Sequence, residues 1–336
     1  MLYNFIKRLL YHEDDCLIGK IRQFTKYEEK TTEQCPLANQ VLPYEIMNNI
    51  DISKKAVFRG TVGIIYTGIY DEETVCVKTI LTSTKETMKD DIHNFNSIGN
   101  VLGVFASNLP KMVNSLCKCI SMETNINHEK KMCNVVNKKL SPNIDIVDFL
   151  KPIDDFESIQ NVFVYKYVEG VCLLKMSKDD VKTIGRNIAL VFFKAIHEYN
   201  IIFGDMNPGN FIYNKKTNKI TFIDYGCVFE LNKTQLNVLK ELHRAQQNKI
   251  KLRNYLKKWN APILLADNIY DSSRIFWTKD ANYTNTSFLD ILKIPGVAEC
   301  KLPSEIVIVI KAVYQLIELE KWLACKCDIS DYLKTI

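Results

Sequence analysis

The sequence predicts an α+β fold in two lobes: a small, strand-rich N-terminal lobe carrying a helical insert, and a larger helical C-terminal lobe. Three observations carry that expectation. Between Phe58 and Ile80 short apolar runs rich in Val, Ile and Tyr are separated by Gly-bearing and acidic turns, which is a β pattern. Ile184, Ile188, Val191, Ala195 and Tyr199 recur at helical spacing, and Ser304–Leu323 is a second long apolar helix. Between those helices, Ile201–Tyr213 and Ile220–Gly226 read as short apolar strands around the polar turn Asn214–Asn218. At 336 residues, 47% hydrophobic and 25% charged, the chain has globular composition and the length of one large domain or two ordinary ones.

Charge and cysteine content bound the partners. A net charge of +5 suits an acidic partner such as a nucleotide or a lipid surface and is too weak to argue for nucleic acid, so none is expected. Eleven cysteines, an odd number without a signal peptide, point to reduced thiols in a cytoplasmic or other reducing compartment. The pairs Cys117/Cys119 and Cys325/Cys327 have one residue between thiols, where zinc sites have two to four, and no His pair follows either. They read as thiols rather than a metal site. The most apolar run, Ile306–Leu319, is interrupted by Lys311, Gln315 and Glu318 and is too short to span a membrane.

In chain order, residues 1–50 read as an N-terminal helical extension. Leu2, Phe5, Ile6, Leu9 and Leu10 make a brief amphipathic helix that packs on its own domain, with an interfacial membrane anchor as the alternative. Pro36 and Pro43 stop any long helix between 20 and 50. Residues 51–168 form the N-terminal lobe. Phe58–Tyr70 is strand, turn, strand, and Thr74–Ile80 is a third strand with Lys78 near its end. A Lys behind the turn Gly60-Thr61-Val62-Gly63 is placed to hold nucleotide phosphates, because backbone N–H groups approach phosphate closely where there is no Cβ. Residues 84–140 read as helical, with Glu129 as the ion-pair partner of Lys78. Asn161–Gly170 is strand then turn, suited to a hinge whose backbone at Lys166, Tyr167 and Val168 pairs with adenine.

Residues 169–336 form the C-terminal lobe. Ser177–Asp180 is an N-cap pattern for the helix that follows, whose His197 reads as structural. Thr234–Trp259 is helical. Between Arg244 and Lys258 it holds six basic residues and no acid, a solvated face with anionic headgroups as the alternative contact. Residues 270–300 are turn-rich.

The chemistry lies around the hairpin. Asp205 and Asn210 stand five apart on the loop before it, and Asp224 ends its second strand, just ahead of Tyr225-Gly226. D-x-x-x-x-N, a hairpin, then D-[FY]-G is the layout of a kinase-type phosphoryl-transfer site. A carboxylate near the attacking group orients it and accepts its proton. A carboxamide oxygen and a second carboxylate are hard ligands for Mg2+ or Mn2+, with ATP as co-substrate. Either motif alone is common; both in order, with strands between, are not.

With those residues in view the chain resembles the UbiB/ADCK (aarF-domain) atypical kinases. Fifty residues separate Lys78 from Glu129, which matches that group's helical insert. Glu123-Thr-Asn125 followed by Glu129 resembles its E-x-D-x-x-x-E pattern with Asn for Asp. Gly204-Asp-Met-Asn-Pro-Gly-Asn-Phe211 resembles its A-D-x-H-P-G-N-F signature. Lys20-Ile-Arg-Gln23 is similar to its K-x-G-Q motif, with Arg22 for Gly, and Phe58-Arg-Gly60 stands where the group has an Ala-rich loop. The resemblance implies Lys78 on the α/β-phosphates, Glu129 paired with it, Asp205 as acid/base, and Asn210 and Asp224 on the metal. Glu123 and Asn125 then belong to the insert, and Lys20 and Gln23 to a segment over the active site. It also implies a link to isoprenoid-quinone or other lipid metabolism. Three further readings stay open: a non-catalytic nucleotide-binding scaffold, a Ser/Thr protein kinase released by the altered Arg22 and Gly60 positions, and a membrane-surface adaptor using Leu2 to Leu10 and Arg244 to Lys258.

Overall fold

The computed structural model of the chain describes residues 35–59, 63–81, 86, 90, 121–122, 124–176, 184–278, 281–282, 284, 286, 290–291, 293–323 and 328–336. Two short helices come first, α1 (Ala38–Val41) and α2 (Tyr44–Asn49), separated by Pro43, which has no N–H to extend the first and stands at the N-cap of the second. Strands β1 (Asp51–Ile52), β2 (Phe58–Arg59), β3 (Ile64–Tyr70) and β4 (Glu73–Thr79) follow. Asp71 and Glu72 both take positive φ, the conformation that closes a two-residue hairpin between β3 and β4. After helix α3 (Ile126–Lys139) and strand β5 (Asp148–Phe149), strand β6 (Val162–Lys166) completes an antiparallel five-stranded sheet in the order β1-β3-β4-β6, with β2 on β3.

Period-2 alternation assigns the faces of this sheet. Val75 and Val77 of β4 join Ile64, Tyr66, Val162 and Val164 in one cluster, closed by Ala38, Leu42 and Ile46 from α1, α2 and the residue between them. Residues 35–50, which the sequence groups with an N-terminal extension, therefore share the core of the sheet. Cys76, Phe163 and Tyr165 face the other way, into the larger cluster with Ile126, Met132, Cys133 and Val136 of α3. Lys78, two residues beyond Cys76, is on that second face.

The rest of the chain is mainly helical. Strand β7 (Val171–Cys172) precedes helix α4 (Ile184–Tyr199), whose buried stripe includes Ile184, Ile188, Val191 and Ala195 as the spacing predicts. Strands β8 (Ile201–Phe203), β9 (Phe211–Asn214), β10 (Lys219–Phe222) and β11 (Val228–Glu230) build the hairpin region. β9 and β10 pair in register from Phe211↔Phe222 to Asn214↔Lys219, with β5 and β7 on the outer edges, and β8 pairs with β11.

The predicted helix over 234–259 is two helices, α5 (Lys233–Gln246) and α6 (Lys249–Lys257). Asn248 divides them: its side-chain oxygen accepts the N–H groups of Ile250 and Lys251, an N-cap that restarts the chain in a new direction. The basic run there finds acids on its neighbours. Lys249 pairs with Asp271 of helix α7 (Ile263–Ser273) at 2.9 Å, Arg253 forks onto Asp267 at 2.6 and 2.7 Å, and Lys258 is 3.4 Å from Glu241. Helix α8 (Ser304–Leu323) spans the expected residues and is buried along most of its length, and the short α9 (Ser330–Leu333) follows. Among the described residues no helix is long and apolar enough to cross a membrane. The six described cysteines are free thiols, and both Cys-Lys-Cys pairs lie outside the described residues.

Candidate active site

The site is assembled around Lys78. β4 lies between β3 and β6, with Lys78 opposite Ile65 and Phe163, so its root is fixed from both sides. Its ammonium is 2.7 Å from Glu129 Oε1 and 3.6 Å from Asp224 Oδ2. Glu129 is only 1% exposed. Burial pushes its carboxyl up to about 7; the charge of Asp224 adds to the rise, while Lys78 and the Tyr225 N–H pull the other way. A carboxylate this enclosed is retained for what it holds, since burying it costs free energy that one ammonium only partly offsets. Gly63, ahead of β3, faces the same ammonium stem: a Cβ there would meet Lys78 Cε at 3.2 Å.

Glu129 is delivered by α3, which is tied down at both ends. Asn125 caps it by accepting the His128 N–H at 3.1 Å. His128 Nε2 is 3.0 Å from the Val228 carbonyl, and Lys139 pairs with Glu230 at 2.6 Å, so the helix is fastened to β11 just beyond Asp224-Tyr-Gly226. Tyr225 is fully buried; its hydroxyl accepts the Leu150 N–H and donates to the Phe222 carbonyl. Asp224 Oδ1 accepts the Gly226 N–H at 2.8 Å, which leaves Oδ2 turned toward Lys78.

The loop from Gly204 to Asn210 holds the remaining polar groups. Asn207 accepts the Gly209 N–H at 2.9 Å and caps a 3-10 turn over Pro208–Asn210. Asn210 donates its amide to Asp205 Oδ2 at 2.9 Å, so its donor side is turned to that carboxylate. The Asn210 carbonyl accepts the Ile223 N–H at 3.1 Å, coupling this loop to the strand end that carries Asp224. Gly204 is close-packed: its N–H donates to the Cys227 carbonyl at 2.7 Å, and a Cβ would meet that oxygen at 2.9 Å and Ile308 Cγ2 at 3.0 Å.

Two contributors escaped the sequence reading. Lys311 and Gln315 of α8 both reach Asp205: Lys311 Nζ is 3.6 Å from Oδ1 and donates to the Gly204 carbonyl at 3.1 Å, and Gln315 donates to the same Oδ1. The available signal was a Lys and a Gln four apart in an otherwise apolar helix, which one face of that helix must explain.

The Lys166 N–H donates to the Lys151 carbonyl and the Tyr167 N–H to the Thr74 carbonyl, at 2.9 and 3.0 Å. Both N–H groups are engaged within the protein. The Lys166 side chain meets Glu73 on the surface. Val168 is partly buried against the larger core. Gly60, Thr61, Glu123, Lys20 and Gln23 lie outside the described residues.

The chain is 29% identical over 82 residues to the cell division cycle 7-related protein kinase of Mus musculus, and 33% identical over 73 residues to that of Homo sapiens. Those matches cover 24% and 19% of this chain, and only 14% and 13% of the relatives' lengths. A Mycobacterium tuberculosis protein, Rv3197, solved as a complex with erythromycin, shares the fold at a TM-score of 0.54 and 14% identity, over 97% of this chain and 91% of that one. The model of the ABC1 atypical kinase-like domain matches residues 51–252, more than half of the sequence. The chain therefore belongs to the ABC1 atypical kinase-like family, the domain of the UbiB/ADCK group.

Proposed function

We propose that this protein binds Mg-ATP and catalyses phosphoryl transfer or ATP hydrolysis. The observation that carries the reading is the meeting of Lys78, from the sheet, with Glu129 at 2.7 Å and Asp224 at 3.6 Å. These residues are 51 and 146 positions away in sequence, and packing alone does not call for a half-buried cation between two acids. In this reading the sheet and the helical part are the two lobes of a kinase-like fold, and the triphosphate lies between them. Lys78 holds phosphate oxygens, with Glu129 fixing its direction. Asp205 orients the attacking hydroxyl or water and takes its proton.

The donor set suits a divalent cation. The side-chain oxygen of Asn210 and the Asp224 carboxylate are hard ligands of the kind Mg2+ selects, and they would hold it. When bound, the ion neutralises charge on the phosphates. The remaining rate enhancement comes from positioning, which this loose type of transition state chiefly requires. A lipid or isoprenoid-quinone setting follows from the family resemblance alone.

Thermal denaturation with ATP, with and without Mg2+, tests binding. Wild type is stabilised by ATP, more so with metal, and Lys78→Ala responds weakly. Asp205→Asn keeps the stabilisation and loses turnover by ~100-fold or more. Stabilisation without turnover leaves a nucleotide-binding scaffold, and no stabilisation of wild type removes the reading. Labelled ATP separates the acceptors: label on Ser or Thr of added proteins marks a protein kinase, free phosphate alone a hydrolase.

A further inference from the structure

The loop Asp205-Met-Asn-Pro-Gly-Asn210 contains no cation of its own. The positive charge beside Asp205 arrives from α8, a helix beyond residues 51–252 that the family's domain covers. Between Ile306 and Ile317 every position of that helix is buried except Lys311 and Gln315, which are half-buried. Spaced i and i+4, they share one face. A Lys and a Gln on so apolar a helix cost folding free energy unless their polar atoms are satisfied.

They are satisfied by three consecutive residues of the loop. Lys311 donates to the Gly204 carbonyl at 3.1 Å and stands 3.6 Å from Asp205 Oδ1. Gln315 donates to Asp205 Oδ1 and accepts the Met206 N–H at 3.0 Å. Asn210 holds the other Asp205 oxygen at 2.9 Å. Both carboxylate oxygens are thereby fixed, and the backbone on either side is fixed by the same two side chains. Rotation of Asp205 out of this orientation breaks hydrogen bonds at both ends.

We propose that Gln315 and Lys311 are positioning residues for the phosphoryl-transfer reaction. Gln315 locks Asp205 against its own backbone. Lys311 fastens the loop to α8 and supplies positive charge beside Asp205. The inference rests on the phosphoryl-transfer reading of the site.

The test uses the full chain and three variants. Gln315→Glu keeps the oxygen that accepts the Met206 N–H, removes the donor to Asp205 and adds a like charge. Lys311→Met removes the cation at similar length, and Lys311→Arg restores it. Two quantities are read: the Mg-ATP-induced rise in melting temperature, and kcat and KM for ATP from phosphate release. The rise in melting temperature stays near wild type in all three. Gln315→Glu and Lys311→Met lose kcat by ~10-fold or more with KM within about twofold, as a displaced catalytic group does. Lys311→Arg recovers much of that loss. A merely structural role lowers the melting temperature and leaves kcat of the folded fraction unchanged. Turnover of both loss variants within twofold of wild type overturns the inference, as does an Arg variant no better than Met. Should Lys311→Met fail to fold, the isosteric Gln315→Glu decides alone. A wild type that is stabilised by Mg-ATP but never turns it over overturns the enzymatic reading and this inference together; an active wild type with unaffected variants overturns this inference only.

Discussion

Replacing Glu129 by Gln is expected to stabilise the ligand-free protein while damaging its response to nucleotide. Glu129 is 1% exposed, and its carboxyl is raised from 4.5 to about 7 even with Lys78 beside it. The sign follows from linkage. Between those two values the unfolded chain gives up the proton and the folded one keeps it, so stability falls as pH rises through the window and stays low above it. A rise of two to three units corresponds to a penalty on the order of 3 kcal/mol above pH 7, because each unit is worth ~1.4 kcal/mol. The lost ammonium–carboxylate attraction is already inside that net value. A neutral Gln of the same shape avoids the penalty, so at pH 8 the variant melts about 3–6 °C higher than wild type, and at pH 5 the two converge. The opposite holds for binding: without the Glu129 charge, the Lys78 ammonium is drawn to Asp224, 3.6 Å away, and the Mg-ATP-induced rise in melting temperature shrinks. Melting curves from pH 5 to 8.5, with and without Mg-ATP, read both effects. A variant less stable than wild type at pH 8, with an unchanged pH slope, refutes the account of Glu129 as a strained, functional carboxylate.

Three further outcomes follow from the same geometry. Gly63→Ala places a Cβ 3.2 Å from Lys78 Cε, the flexible part of a side chain, so the fold persists while the apparent affinity for Mg-ATP in a titration falls several-fold. Gly204→Ala meets the Cys227 carbonyl at 2.9 Å, which cannot step aside so cheaply; denaturant unfolding shows a loss of about 1–3 kcal/mol, and turnover drops because Asp205 is the next residue. His197 and His243 meet edge to face, ring centroids 4.6 Å apart, in the helical core, and burial lowers their imidazoles to about 4 and about 3, with Lys240 and Arg244 pressing on His197, and His197 and Arg244 on His243. The unfolded state binds their protons first, so stability is fully present above pH 6.5 and is lost as pH falls toward 4. The double variant His197→Phe with His243→Phe has a shallower acid limb in denaturant unfolding, measured in the Glu129→Gln background because Glu129 titrates with the opposite sign.

The sequence displays the parts of this site that are local. Asp205, Asn210 and Asp224 are held by one hairpin and its flanking loops, so motif spacing places them, and the strand alternation that buries Val75 and Val77 puts Lys78 on the opposite face. Glu129 needs a longer inference, since its meeting with Lys78 depends on a helix packing across the sheet. Lys311 and Gln315 lie more than a hundred residues from Asp205; periodicity sees only interruptions in an apolar helix, and the partner that explains them is tertiary. The hydrogen bonding of residues 166 and 167 is hidden for a related reason. Whether the Lys166 and Tyr167 N–H groups are free depends on Lys151 and Thr74, which no local pattern brings beside them. The break at Asn248 was legible as a cap residue, but continuous helical periodicity on both sides concealed it.

Two of the departures from the family's motifs, at 125 and 207, share one physical character. Asn125 stands where the pattern has Asp, and it still caps the helix that carries Glu129. Asn207 stands where the pattern has His, and it caps the 3-10 turn that presents Asn210. Asn is as good as Asp at an N-cap, so the change at 125 preserves the backbone while removing one negative charge near the Lys78–Glu129 pair. The change at 207 likewise leaves a side-chain oxygen bonded locally and removes an imidazole that titrates near neutral pH. At both places the Asn side chain bonds the local backbone, and what differs from the pattern is a titratable group. An Asn125→Asp variant should then keep the helix and its stability within about 0.5 kcal/mol, while the added carboxylate changes the metal dependence of nucleotide stabilisation. Equal Mg2+ dependence in the two proteins would refute the claim that this chain departs from its relatives through charge.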